Sequence, residues 1–486
     1  MTKSITANSS RFRSSAFVKQ SYKRGMAIVG TSSIIVGFGL AGGTPAFAGA
    51  EVDCIGRTLT PGTPSANQLA IADKLNDGTG IVCLSGDFVI ESTITFNSGN
   101  VRVYGIGNSS IEPQNGGVFH SEFDANSAPL HDIEIINLTV KNASRIAVEG
   151  GSVLVQDSIF SGNRGGAISA YTFASVDNST FINNSSDFDS DYGEGSAIRV
   201  EQEGTSEFSL LISNSTFEGN QAEGDGGAIF AYSIQIENST FFENTAQVGG
   251  AVYSAFVEII NSTFANNQAV EGDAEGGAIW AWAGQVGLST FVNNLAGEPT
   301  LGADVPGNAI YKVGGGTFAI AGNIFAGTSP HPQLGTGQDT TPSPFEDFGG
   351  NVFSTSDVTE VDVDQHEGSV FGASLTSLFG TTSPALAAHA PNTSGTETIG
   401  LAAGSPAIDV MTAEIIADLA VDERALFDQR GAPRSIPFDA GAFEGSISLA
   451  NTGNENPFWT AAASVTLIAV GGFVAAIASR LRRRTS

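Results

Sequence analysis

The residues most able to do chemistry fall into three groups. Asp187, Asp189 and Asp191 alternate along one stretch, with Glu194 just beyond. Alternate carboxylates are how a calcium loop of the EF-hand type begins, but Tyr192 stands where its glycine belongs and Ile198 where its closing glutamate belongs. An EF-hand is excluded. A looser calcium site on Asp187, Asp189, Asp191 and Glu194 and a plain solvated acidic loop both stay open; no other cofactor is expected. Arg199 and Glu201 form the second group. Between Phe160 and Tyr311 only Arg164 and Arg199 are basic, so a base acting beside a cation would have to be one of these. The five histidines are scattered with no Ser-His-Asp pattern, and carboxylates are too many to single out a glycosidase pair.

The third group is aromatic. If Ile229 points inward on a strand, Phe230 and Tyr232 point outward. The same register turns Tyr171, Tyr253, Trp280, Trp282 and Tyr311 outward. Two of three tryptophans and four of seven tyrosines then share one outer face, rimmed by Glu271, Asp273 and Glu275. Exposed apolar surface of this size marks contact sites, and aromatic faces suit sugar rings or a partner protein. A segment from 330–445 folded over the face would bury it.

Alignment of these side chains requires stacked, equivalent units, and the chain supplies them. Asn178-Ser179-Thr180-Phe181 recurs at Asn214–Phe217, Asn238–Phe241 and Asn261–Phe264; Leu288-Ser289-Thr290-Phe291 and Asp157-Ser158-Ile159-Phe160 are variants. Each phenylalanine is followed three residues on by an asparagine: Asn163, Asn184, Asn220, Asn244, Asn267 and Asn294. A glycine box such as Gly226-Gly227-Ala228-Ile229 sits between, and its alanines are 30, 31, 23, 27 and 31 residues apart. One such unit cannot bury its own apolar side, whereas stacked units can. The expectation is an all-β fold, a parallel β-helix with one coil per repeat and rungs about 4.8 Å apart. Phenylalanines would stack inside, and asparagines would bond in a column at a turn. The Asn-Ser-Thr triplets match a glycosylation acceptor, but their period marks them as structural.

Coils must be covered at their ends. Ser65 to Asn76 reads as a short helix capped by Ser65, with Leu69, Ala72 and Leu75 on one face and Gly78 as its stop. It is the candidate lid. The expected strands Gly80–Leu84, Phe88–Phe96, Val101–Tyr104, Ile133–Val140 and Ile146–Val155 would be irregular early coils. Phe348–Phe353 and Ser369–Phe379 are expected to add short strands at the far end. Residues 380–445 change character, and Arg430 and Arg434 stand there among many acids. Ion pairing that closes the last coil is expected of them.

The termini read as addresses. Residues 1–48 carry a basic start, an apolar run from Met26 to Leu40 and a small-x-small site at Ala46-Phe47-Ala48, which predicts a signal peptide and a mature chain from Gly49. Export makes a Cys54–Cys83 disulfide the expected state of the only two cysteines. Phe458 to Ser479 is 22 residues without a charge, followed by Arg480, Arg482, Arg483 and Arg484. This is a bilayer span with a cytoplasmic basic tail. Residues 49–453 hold 11 basic and 49 acidic residues, a net of −38. Such a surface repels nucleic acid. The expected organisation is signal peptide 1–48, cap 49–80, β-helix 81–330, solenoid end 331–445, linker 446–456 and membrane span with tail 457–486.

Three resemblances follow. The Phe-x-x-Asn and Gly-Gly-Ala-Ile boxes of 157–312 resemble the repeats of polymorphic outer-membrane proteins. This implies a right-handed β-helix shown on a cell surface, often adhesive, although no outer-membrane β-barrel follows here. Residues 401–444, with Gly404–Asp409 and Asp439–Glu444, are similar to the choice-of-anchor type Q region, which ends β-helices ahead of varied anchors. Leu449-Ala450-Asn451-Thr452-Gly453, the apolar span and the basic tail together resemble a sorting signal of class E sortases. That resemblance implies that a sortase thiol attacks the Thr452 carbonyl, releases Gly453 onward and joins Thr452 to a peptidoglycan precursor. The expected protein is a cell-wall-anchored surface β-helix that binds a glycan or protein partner, adhesin-like. The alternative is a cell-surface polysaccharide lyase or glycoside hydrolase.

Overall fold

The structure is a computed structural model. It describes residues 54–445 apart from 55, 98, 125–127, 188–192, 202–207, 271–273, 298–306, 330–331, 338–344, 355–360, 363–367, 388–395 and 419–422. The fold is a parallel β-helix. Every strand pairs in parallel with the equivalent strand of the next coil, from Thr58–Leu59 to Val370–Phe371.

The repeat positions form columns in register. Phe160, Phe181, Phe217, Phe241, Phe264 and Phe291 stack with centroids 4.6–5.0 Å apart and planes within 8°. The stack continues through Phe325 and Phe353 to Phe371, beyond the recognisable repeat. Burying one such ring contributes about 1.5–3 kcal/mol, so this column is a main source of cohesion between coils.

Beside it runs the buried asparagine column. The Nδ2 of each asparagine donates to Oδ1 of the next: Asn163 to Asn184 (2.8 Å), then Asn220 (2.9 Å), Asn244 (3.0 Å), Asn267 (2.9 Å) and Asn294 (2.9 Å). The same Oδ1 accepts the backbone N–H of the preceding asparagine, and Nδ2 also donates to a carbonyl on the rung before. A parallel serine column runs through Ser158, Ser179, Ser215, Ser239, Ser262 and Ser289. The triplet therefore has a division of labour. Its asparagine turns the corner at positive φ (46–51° at Asn178, Asn214, Asn238 and Asn261), its serine links rungs, and its threonine faces outward. Asparagine tolerates that backbone region better than most residues.

The early coils belong to the same sheet, with Val101–Pro113 longer than expected and the expected Ile133–Val140 split into two short strands. Ile81–Ile90 pairs with Val101–Pro113, which pairs onward to Ile133–Ile136 and Thr139–Lys141. The lid is the helix Pro64–Leu75. Its cap is Thr63, not Ser65, because Pro64 fits the first helical position where no N–H is needed. Its buried face is Asn67, Ile71 and Leu75, not the face carrying Leu69, which is 64% exposed. Asn67 fixes the rotation by donating to the Val89 carbonyl (2.8 Å) while accepting from Gly62 N–H.

At the far end, Phe345–Asp347 and Val352–Phe353 flank a turn where one strand was expected. Ser369–Phe379 is not a strand throughout. After Val370–Phe371 it forms a helical turn, Leu375–Phe379, capped by Ser374 and stopped by Gly380 at φ 76°. Leu375 and Leu378 pack on one side of that turn.

The described residues of 373–445 form a strap along the side of the solenoid, and this corrects the expectation that Arg430 and Arg434 close the last coil. Ala440, Ala407 and Leu378 pack with Ala265, Val292 and Ile324, while Met411, Ile415 and Phe438 pack with Leu288. Gln429 bridges two rungs, donating to Thr240 Oγ1 (2.8 Å) and accepting from Thr263 Oγ1 (2.6 Å). The Ala442 N–H donates to Thr290 Oγ1 at 2.9 Å. The arginines are structural: Arg430 pairs with Asp428 and lies 3.8 Å over the Phe443 ring, and Arg434 pairs with Glu444 at 3.3 Å.

Candidate functional site on the outer face of the coils

Strands Ile229–Glu237, Val252–Ile260 and Ile279–Gly287 carry the aromatic face. Their register places Arg199, Phe230, Tyr253, Trp280 and Tyr311 in one column. Alternation places Tyr232, Ala255 and Trp282 in a second column two residues along, bracketed by paired residues on both sides. Trp280 and Trp282 are thus brought beside Tyr232 and Tyr253, while Tyr171 lies on an earlier coil and is exposed.

The first column is a ladder rather than an open platform. Phe230 stacks on Tyr253 (5.2 Å, 7°) and Tyr253 on Trp280 (4.3 Å, 4°). Ring faces are spent on one another, and ring edges point out. Tyr253 is accordingly buried and Tyr311 is buried as well, whereas Phe230, Trp280, Tyr232 and Trp282 are half-buried. Among the described residues the strap docks on the threonine column, on Asn261 and, through Arg424, on Glu258 (2.7 Å). Glu275 accepts from the Trp280 indole N–H at 2.9 Å and so fixes that ring. Glu271 and Asp273 lie outside the described residues.

At the head of the ladder Arg199 lies 3.8 Å from Glu201. Of the calcium candidates, Asp187 and Glu194 are described and Asp189 and Asp191 are not. Among the described residues no three His, Cys, Asp or Glu side chains group as a metal site. Cys54 and Cys83 are bonded, with Cα atoms 5.6 Å apart, beside Tyr104 and Ile136. Ala46, Ala48, Gly49, Leu449, Ala450, Asn451, Thr452, Gly453 and the apolar span lie outside the described residues. Among the described residues no helix is long and apolar enough to cross a membrane.

Lys312 went unnoticed in the sequence. It follows Tyr311, so alternation turns it inward, in register with Ala281 and Thr336, and it is fully buried. Burial pushes its pKa down to about 8, with Glu346 pulling it back up. The folded state therefore binds fewer protons than the unfolded chain between pH about 8 and about 10.5, and stability rises with pH across that window. Lys312→Met is expected to remove that rise and to stabilise the protein at neutral pH by roughly 1–3 kcal/mol. Urea unfolding of both forms across the window is the check; a variant less stable at pH 7 would contradict it.

Comparison with known proteins adds to this geometry. Residues 214–232 and 261–281 match the Chlamydia polymorphic membrane protein repeat. These polymorphic-membrane-protein repeats cover the coils that carry Phe230, Tyr232, Trp280 and the asparagine corners Asn214 and Asn261. No curated protein matches the chain. Among solved structures, a mannuronic-acid-specific family 6 polysaccharide lyase from human gut microbiota is similar at 11% identity and a TM-score of 0.29. That match covers 64% of this chain and 91% of the lyase. The family 6 alginate lyase AlyGC is similar at 11% identity and a TM-score of 0.31, over 82% of this chain and 59% of AlyGC.

Proposed function

We propose that this protein is a surface-displayed β-helix that binds a glycan or protein partner through its aromatic face, in the manner of an adhesin and without catalysis. The observation that carries the reading is the pair of outward columns containing Phe230, Trp280, Tyr232 and Trp282, each partly exposed. Half-exposed aromatic residues concentrated on one face suit contact with a ligand. The repeat match supports display on a surface. In the same reading a sortase joins Thr452 to peptidoglycan, and the apolar span is lost with the residues after it.

The test is a glycan and protein array probed with the 49–445 chain and read both for retention and for product. Retention without product, abolished by Trp280→Ala with Trp282→Ala, is expected. Release of shortened or unsaturated oligosaccharides would instead make the protein the lyase or hydrolase of the alternative reading. Recovery of Thr452 on a peptidoglycan fragment tests the tether; extraction of the intact chain by detergent would overturn it.

A further inference from the structure

The aromatic ladder has a charged neighbour. Glu194, Asp225, Val248 and Glu275 each precede the glycine corner of their coil. They stand in register on four successive rungs, because the N–H groups of Gly195, Gly226 and Gly249 donate to the carbonyls of Asp225, Val248 and Glu275. The glycines set this column against the ladder. A Cβ on Gly195, Gly226 or Gly249 would lie 2.9, 3.2 or 3.3 Å from the Cβ of Phe230, Tyr253 or Trp280 on the next rung. Only a residue without a side chain permits that approach. Across the ladder, two residues beyond the Arg199–Phe230 pair, Glu201 takes the place before Tyr232 in the second column. Glu194, Asp225, Glu275 and Glu201 are partly exposed, like the rings they flank.

The coils themselves bring no balancing charge. From Val200 to Tyr311 the sequence has 14 acidic residues and no lysine, arginine or histidine. Arg424 of the strap answers Glu258, which lies outside both aromatic columns. Arg199, at the head of the ladder, shows what the arrangement accepts. It is in register with Phe230, Glu194 stands beside it in the acid-bearing column, and Glu201 lies 3.8 Å away. The strap repeats the combination: Arg430 lies 3.8 Å over the Phe443 ring while paired with Asp428. In two places, then, this chain seats a guanidinium of its own among aromatic rings and carboxylates.

We propose that the aromatic face docks a basic polypeptide segment of a partner protein, with arginine as its preferred side chain. The inference rests on the binding reading above and narrows the partner to one class. Charge complementarity carries it. The stem of a lysine or arginine is apolar and lies along ring edges while its head reaches a carboxylate beside them, so no ring face has to be vacant. Arginine adds a planar fork that fits a carboxylate through two bonds. Summed over coils that contain no cation, the acids draw a basic partner in and repel an acidic one. An uncharged glycan would use the rings and leave the acids beside them without a role.

The experiment uses the 49–445 chain, which contains the cap, the coils and the strap. The probes are fluorescein-labelled octapeptides that alternate glycine with arginine, with citrulline or with glutamate, and cellohexaose as the glycan comparison. Anisotropy is expected to show binding of the arginine peptide alone, weakened about tenfold between about 0.02 M and about 0.2 M salt. Asp225→Asn with Glu275→Gln removes two charges from the face, and the glutamine keeps an acceptor for the Trp280 indole N–H. This pair is expected to keep the melting temperature and weaken binding about tenfold, some 1.4 kcal/mol. Glu194→Gln replaces Asp225→Asn should the latter lower the melting temperature. Glu218→Gln with Glu243→Gln removes two charges from exposed positions on the threonine side of the same coils, and less than about a twofold change is expected. Equal weakening by both pairs overturns the proposal, since any polyanion attracts a polycation. Equal binding of the citrulline peptide overturns the basic class. Absence of arginine-peptide binding overturns the proposal whatever else binds. In that case cellohexaose bound in a manner lost with Trp280→Ala and Trp282→Ala leaves the aromatic-face reading standing, and an array that retains nothing sinks that reading too.

Discussion

Asn244→Ala is expected to destabilise the solenoid by about 4 kcal/mol or more, although the residue touches no ligand and lies far from either end. The amide serves four groups at once. Its Oδ1 accepts from Asn220 N–H (3.0 Å) and Asn220 Nδ2 (3.0 Å). Its Nδ2 donates to the Phe217 carbonyl (2.9 Å) and to Asn267 Oδ1 (2.9 Å). All are buried, and each buried polar group left without a partner costs about 1–3 kcal/mol. Asn178→Gly is the comparison. Asn178 is exposed at φ 46°, a corner that glycine adopts freely, and the expected change is within about 0.5 kcal/mol. Because coils touch only their neighbours, the damage should be local. Hydrogen exchange should quicken in the coils of Phe217, Phe241 and Phe264 before those near the cap. A cost below about 1 kcal/mol would show that the asparagine column adds little to the cohesion that the phenylalanine stack supplies.

That column was legible in the sequence because each rung repeats the same residue at the same place. Phe181, Phe217, Phe241 and Phe264 announce a stack by recurrence alone, and so do their asparagines. The alternation that assigned Phe230 and Tyr232 to the outer side was legible for the same reason. What alternation does not carry is what a side chain meets once it is outside. Tyr253 points outward and is still buried, because Phe230 and Trp280 cover its two faces. The place of Ala255 between Tyr232 and Trp282 needed register, which depends on coil lengths that vary between repeats. The helix face failed for another reason: Leu69 and Ile71 both fit an apolar stripe, and only the Asn67 bond to Val89 chooses between them. Lys312 follows from the alternation already applied to Tyr311, one residue further on.

The strap was least legible, since it has no repeat, yet it explains a departure within the repeats. Leu288 stands at a corner where five other coils place asparagine (Asn137, Asn178, Asn214, Asn238 and Asn261), and it holds φ 49°. A leucine there is strained. Its side chain is buried against Met411 and Phe438 of the strap, and that burial offsets the strain. Thr240, Thr263 and Thr290 are likewise buried under the strap, whereas Thr180 and Thr216 on uncovered coils are not. The coils thus carry two different outer faces. One is covered by the chain's own strap, and on the other Phe230, Tyr232, Trp280 and Trp282 stay partly exposed.

Arg434→Ala is expected to release that strap, at a cost of about 3–5 kcal/mol. The guanidinium is fully buried and reaches Glu444 Oε2, Asn261 Oδ1 and the carbonyls of Asp439, Gly441 and Phe427. Its removal strands the Glu444 carboxylate and an Asn261 oxygen inside the seam. Limited proteolysis should then cut within 373–445, while the coils from Ile81 to Phe217 keep their protection. The loss should depend on pH in a definite direction. Burial pushes the carboxyls of Glu444 and Asp439 above their ordinary values, against the pull of Arg434. A carboxyl whose folded pKa is raised holds its proton more tightly in the folded state. Its contribution therefore favours docking below that pKa and is lost as pH rises through it. Without Arg434 the opposing pull is gone, so the folded carboxyls are raised further and more docking stability is lost between acidic and neutral pH. The variant's strap should resist protease longer at about pH 5 than at about pH 7. Equal cleavage at both, or a strap that stays docked, would mean that the apolar seam of Met411, Phe438 and Ala440 holds it without the ion pair.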